Sequence, residues 1–178
     1  MITDATGTDV WFVYVLDDSD RSLTLAGATP PFDQQVGRIR LPLGSGISGW
    51  VASHRRPVVI TEDKESDARY VPIEALSDSV FTSMVSVPMQ TDPGGLVGEL
   101  TVHTVERREF TPGDVELLSV IGRLIAGALH QASSRRTDTA ACTSRTVCGS
   151  EEFQRCSITR CSSSPNSFHL GIAVLLHR

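Results

Sequence analysis

The chain has 178 residues, 40% of them apolar and 21% charged, with a net charge of −5. That length suits one domain, or one domain and a tail, and the apolar content is enough for one hydrophobic core, which excludes wholesale disorder. The acidic balance excludes direct nucleic-acid binding, no run approaches the ~18 uninterrupted apolar residues of a membrane span, and the acidic start MITDATGTD is no secretory leader, so a cytoplasmic setting is expected.

Residues 10–16, VWFVYVL, form a β-branched and aromatic run with strand character. The cluster Asp17-Asp18-Ser19-Asp20 follows, where side-chain oxygens bond the nearby backbone and close a turn. Residues 21–28 alternate Leu23 and Leu25 against polar neighbours, which predicts a β-hairpin ended by Pro30-Pro31. RIRLPL (38–43) predicts a strand running into Gly44-Ser45-Gly46-Ile47-Ser48-Gly49, then a brief helix from Ile47 to His54 that stops before Pro57. VVIT (58–61) is a strand, Glu62 to Asp67 a loop, and residues 68–79 a short helix with Tyr70, Ile73 and Leu76 on one side.

Residues 81–89 and 96–105 both alternate with period two around Asp92-Pro93-Gly94-Gly95, and predict a second hairpin. Phe81, Ser83, Val85, Val87 and Met89 share one face of the first strand, and Leu96, Gly98, Leu100 and Val102 one face of the second. Pro88 has no amide donor and must face an open edge or the strand's end. The last helix, 112–132, has a nearly complete start signal: Thr111 as cap, Pro112 at the first helical position, Asp114 as capping-box partner, and Phe110 with Val115 as staple. Its apolar band, Leu117 to Leu129, is wider than one sheet contact needs, so part of it is expected to meet a second helix, including that of a second copy in a homodimer.

The composition shifts after Ala132. Residues 1–132 carry 18 acids and 10 bases, whereas residues 133–178 carry 3 acids and 6 bases, many serines and threonines, and all the cysteines. The reading is a nine-residue N-terminal segment, a folded domain over 10–132, and a disordered or aberrant tail over 133–178, of the kind a shifted reading frame would give. Only one of the 16 basic residues, Lys64, is a lysine, a bias typical of a GC-rich bacterial genome.

The elements together make an α+β domain with a central antiparallel sheet. The segments GSGISGWVASHRRPVVI (44–60), SMVSVPM (83–89) and GGLVGELTVHTVERREFTPGDVELLSVIGRLIAGAL (94–129) resemble the GAF domains, small ligand-binding modules of bacterial sensor kinases, transcription regulators, phytochromes and phosphodiesterases. The resemblance implies a GAF/PAS-like sheet with helices on one side, smaller helices and loops on the other, and a pocket between the sheet and those loops. Members of the family usually begin with a long helix beside the final one, and that helix is missing from the expected elements here. The tail matches nothing in the family.

Several chemistries fail on the residues. Gly44-x-Gly46-x-x-Gly49 has dinucleotide spacing, but the crossover that follows offers barely two helical turns, so a tight glycine turn into a short helix is favoured. Cys142, Cys148, Cys156 and Cys161 do not pair at zinc spacing. Residues 1–132 hold no cysteine, so neither the thiol chemistry of free methionine sulfoxide reductases nor a covalent bilin through a domain cysteine is expected. No histidine lies in 62–82, where haem-binding relatives would place one, and the cyclic-nucleotide signature has no counterpart. No metal site is expected, and His54, Ser83 and Asp63 are not brought together as a triad.

What remains is a pocket. Trp50, Tyr70 and Phe81 are candidate apolar walls, and Asp63, Arg69, Ser83 and Ser86 candidate polar handles. The alternative is that these aromatics fill core and the polar residues face solvent. The expected function is a non-enzymatic, small-molecule-binding sensory module from a signalling or transcription-regulator protein. The alternative is a structural dimerisation module with no ligand.

Overall fold

The apolar run at 10–16 pairs on both sides. In the computed structural model, which describes residues 2–76, 80–92 and 94–145 with side chains to Ser134, β1 (Val10–Asp17) lies between β2 (Ser22–Ala28) and β6 (Gly95–Thr104). With β3 (Arg40–Pro42), β4 (Val58–Ile60) and β5 (Ser83–Thr91) these form one sheet in the order β3-β2-β1-β6-β5-β4, every pair antiparallel. Both predicted hairpins are present. In the first turn Asp17 Oδ1 accepts from the Ser19 amide at 3.1 Å, as the Asx pattern predicts, and Arg40 ties β3 to the turn at Asp17 and Asp20, 3.1 and 2.7 Å.

Pleating gives the sheet two covered faces. Trp11, Val13, Val85, Val87, Met89, Leu100 and Val102 face α3 (Pro112–Arg145), which buries Leu118 and Ala126 against them. Phe12, Tyr14, Leu23 and Leu25 face the other way, with Ile39, Ala52 of α2 (Gly46–His54) and the connecting loops. The start of α3 is built as its sequence predicts. Thr111 Oγ1 accepts from the Asp114 amide at 3.2 Å, and Asp114 Oδ2 accepts from the Thr111 amide at 2.7 Å. Pro88 also sits as expected, because β4 pairs with β5 only from Met84 to Ser86 and leaves its side of the strand open.

Several expectations need correcting. No α-helix forms over 68–76: Pro72 has no amide to donate and disfavours a helical residue before it, so only a 3-10 turn, Glu74–Leu76, appears, and 77–79 lie outside the described residues. A second 3-10 turn, Lys64–Ser66, interrupts the expected loop. Phe81 precedes β5 and packs on the Phe12 side, not with Val85 and Val87. Val97 is an extra residue in β6, since Met89 pairs with Gly98 and Gln90 with Leu96; this bulge turns Leu96 away from the face of Leu100.

The N-terminal segment holds a five-residue helix, α1 (Ile2–Thr6), where the expected reading had none. Arg108 fastens it: Nη1 donates to the Thr6 and Gly7 carbonyls at 2.8 and 2.7 Å, and Nη2 to Asp114 at 3.0 Å. Helix α3 runs on past residue 132 to Arg145, so the first part of the expected tail is helical, while 146–178 and the later tail cysteines lie outside the described residues. By length and composition alone, Pro112–Ser134, with a mean hydropathy of 1.2, is long and apolar enough to cross a membrane; here its inner face covers the sheet.

Candidate functional site

Period two on β6 decides what the site contains. Leu100 and Val102 point under α3, so Glu99, Thr101 and His103 point to the opposite face. That face is roofed by the N-terminal turn of α2 and by the long connection from β4 to β5. Between roof and sheet lies a cavity of about 160 Å³. Phe12 and Tyr14 of β1, Met84 of β5, and Thr101 and His103 of β6 form its floor. Ser45, Gly46, Ile47 and Ser48 of the α2 start form one wall, and Lys64, Tyr70, Val71, Ile73, Leu76 and Phe81 form the outer one. The lining is mostly apolar with a few convergent polar groups, the usual make-up of a small-molecule site.

Glu99, on the same face of β6 as Thr101 and His103, does not line the cavity and is fully buried. The Ser86 and Thr101 hydroxyls both donate to its Oε1, and the Ser48 hydroxyl of α2 is a further partner. Its Oε2 has no partner among the described residues. Burial pushes the carboxyl up to about 7, against the lowering effect of those hydroxyls. Tyr14, which pairs with Glu99 across β1 and β6, has its phenol held well above the usual range by burial and by the Glu99 charge.

An aromatic cluster also lines the cavity. Phe81 stacks on His103 with centroids 4.8 Å apart, Phe12 meets both rings, and Lys64 Nζ stands 5.3 Å over Phe81. The His103 ring is half-buried and its Nδ1 is enclosed without a partner. Burial, then the nearby Lys64 charge, push the imidazole down to about 3, so it is neutral at physiological pH. Burial also lowers the Lys64 amine.

The structure divides the sequence-predicted candidates. Tyr70 and Phe81 line the cavity, and Ser86 lies beneath it on Glu99. Trp50 does not line it; its ring is sandwiched between His54, 4.2 Å away, and the Arg69 guanidinium, 4.7 Å away. Arg69 is further held by Asp67 at 2.6 Å. Asp63 is exposed at a left-handed bend, with φ 53°. Ser83 falls on the α3 side of β5, accepting from the Arg108 amide at 2.8 Å and donating to the Thr61 carbonyl. Tyr14, Ser48, Lys64, Glu99, Thr101 and His103 were not among the candidates. The available signal was the polar side of β6, which a half-exposed strand would turn to solvent but a central strand buries.

The glycine spacing finds a structural explanation. A Cβ on Gly49 would lie 2.6 Å from the Pro42 carbonyl oxygen, and Gly44 and Gly46 take φ of +88° and +69°. A buried carboxyl bonded to Ser48 faces the α2 start, where a dinucleotide would need to place its pyrophosphate. Among the described residues no cluster of His, Cys, Asp or Glu has the make-up of a metal site.

The structure is similar to the GAF domain of a phosphoenolpyruvate-protein phosphotransferase from Coxiella burnetii, at 19% identity over 76% of this chain and 80% of that one, with a TM-score of 0.70. It is also similar to the second GAF domain of DevS from Mycobacterium smegmatis, at 18% identity over 76% and 90% of the two chains, TM-score 0.58. A third relative in fold is an enzyme: free methionine-R-sulfoxide reductase from Neisseria meningitidis, solved with its substrate, at 21% identity over 71% and 70%, TM-score 0.58. No curated protein sequence matches the chain. The sequence profile of the GAF domain matches residues 2–130, from α1 through most of α3 and across every element that encloses the cavity; the chain belongs to the GAF-domain family.

Proposed function

We propose that this chain is a small-molecule-binding sensory module of a bacterial signalling or transcription-regulator protein, working in the cytoplasm by recognition and not by turnover. The observation that carries the reading is the cavity of about 160 Å³ between the sheet and the α2 start, where Ser45, Ser48, Lys64, Thr101 and His103 bring polar groups into a mostly apolar lining. Support for recognition over turnover comes from the lack of any cysteine in residues 1–132, although fold relatives include reductases. A ligand would bias the seating of α3 on β5 and so act on whatever the helix drives. The check is the melting temperature of the full chain in a screen of nucleotides, amino acids and haem. At least one compound is expected to raise it by several degrees at saturating concentration; no shift throughout favours the structural reading.

One observation favours a second, compatible role as a homodimer. On the outer face of α3, Leu117, Val120 and Leu124 are 41%, 38% and 69% exposed, at the three- and four-residue spacing of a helix seam. Light scattering of the full chain is expected to give a mass that rises with concentration, and Leu124→Glu to return it to the monomer. A monomer at every concentration excludes the seam.

A further inference from the structure

The half-buried cations among the described residues are not all partnered. Arg69 is held by Asp67 at 2.6 Å and Arg108 by Asp114 at 3.0 Å, but the Lys64 ammonium has no ion pair and no hydrogen-bond acceptor among those residues. It stands over the face of Phe81, with Nζ 5.3 Å from the ring centroid. A ring face occupies at most one of its three donors. Glu65 favours the charged form through space, yet it is exposed and makes no ion pair with the amine. Burial pulls the amine down from its ordinary value, so its hydration is partly lost and no anion replaces it.

Lys64 and Phe81 both line the cavity, so the unmatched charge belongs to it. No second cation lines it, because burial keeps His103 neutral. The remaining lining near the charge is largely aliphatic, and about 160 Å³ is close to the ~150 Å³ that accepts a six-carbon hydrocarbon. Resting on the reading of the cavity as a binding site, we infer that it takes a short aliphatic monocarboxylate, whose carboxylate pairs with Lys64 Nζ and whose hydrocarbon body lies against Ile47, Val71, Ile73, Leu76 and Met84. A second carboxylate on the ligand would face apolar lining, and an ammonium would be repelled by Lys64. Glu99 takes no part, since it lies outside the lining.

Isovalerate, isoamyl alcohol and isoamylamine share one branched carbon skeleton and carry an anion, a neutral hydroxyl and a cation. Calorimetric titration of the full chain with each, at about pH 6, tests the assignment. The Glu99 carboxyl, at about 7, is then mostly protonated, and its charge does not compete. Isovalerate is expected to bind roughly tenfold or more tightly than the alcohol, and the amine more weakly than either. In Lys64→Met, which keeps the side chain's length without its charge, the acid should fall to within about twofold of the alcohol, with alcohol binding retained. Lys64 is the chain's only lysine, so acetylation of its amine, read by peptide mass spectrometry, gives a second measure on the wild type. Saturating isovalerate should slow that acetylation severalfold, and the alcohol should not. Neither wild-type measure depends on whether a variant folds. Equal binding of acid and alcohol, or acetylation indifferent to isovalerate, overturns the Lys64 assignment and leaves the cavity reading intact. Tightest binding of the amine overturns the assignment by reversing its polarity. Failure of all three to bind overturns both the assignment and the cavity reading for ligands of this size.

Discussion

Between pH 4.5 and 6.5 the unfolding free energy of the wild-type chain is expected to be nearly flat, and to acquire opposite slopes in Glu99→Gln and His103→Gln. The Glu99 carboxyl, ordinarily near 4.5, is held at about 7 by burial, so the folded chain binds its proton more tightly than the unfolded one. Its contribution is fully present below about 4.5 and is lost as pH rises through 7. His103 runs the other way. Burial and the Lys64 charge take it from 6.5 down to about 3, so its contribution is present above 6.5 and is lost as pH falls through 3.

In the shared window, folding in effect moves one proton from an imidazole to a carboxyl, and the two slopes cancel. Each alone approaches ~1.4 kcal/mol per pH unit. Glu99→Gln should therefore gain stability as pH rises from 4.5 to 6.5, and His103→Gln should lose it over the same range. Urea midpoints of the three proteins at four pH values decide the matter. Parallel curves would show that these two groups do not titrate as their burial requires. The lowered carboxylates at Asp17, Asp67 and Asp114 all titrate below 3.8 and so act outside this window.

Gly98→Ala is expected to be the most damaging single-methyl change in the sheet. Gly98 lies in β6 between β1 and β5, paired with Val15 on one side and Met89 on the other. A Cβ there would overlap the Tyr14 carbonyl oxygen, stand 2.9 Å from Met89 Cε and lie 3.0 Å from the Tyr14 carbonyl carbon. Met89 can swing aside, but the Tyr14 backbone is fixed by the β1–β6 ladder. Relief requires the two central strands to part beside Glu99. Added core methylenes typically cost ~1–3 kcal/mol, and a clash with backbone belongs at the top of that range or above it. A drop in melting temperature of more than about 5 °C, measured by circular dichroism, is the expected result. Gly95→Ala is the comparison: its Cβ meets only the Thr91 side chain, at 3.0 Å, and the loss should be small. Equal melting temperatures for the two variants would mean that the close approach at Gly98 is not real.

Local signals carried most of the fold. The Asx turn, the two alternating hairpins and the box at Thr111 and Asp114 each depend on residues a few positions apart, and all form where the pattern places them. The predicted helix over 68–79 fails for an equally local reason, Pro72, whose weight the Tyr70/Ile73/Leu76 spacing concealed. The site was less legible because its central residues depend on strand order. A glutamate and a histidine alternating with Leu100 and Val102 describe an amphipathic strand with one wet face. Only placement between β1 and β5, under a roof supplied by the α2 start, residues 64–76 and Phe81, makes that face an interior. Of the three aromatics, Tyr70 and Phe81 line the cavity, whereas Trp50 is held by partners on its own helix and loop, His54 and Arg69.

The pairing of β1 with β6 sets a condition on biosynthesis. A ribosome extrudes Val10–Asp17 early, yet delivers their partner, Gly95–Thr104, only after the rest of the sheet has been made. Until then the β1–β2 hairpin has one unpaired flank and two apolar faces with no cover from α3, and a nascent chain in that state is open to edge-to-edge association. Completion of the domain waits on a contact spanning most of its length, which places it among slow, high-contact-order folders. Any truncation that ends before residue 95 would therefore leave a sticky intermediate and not a smaller domain.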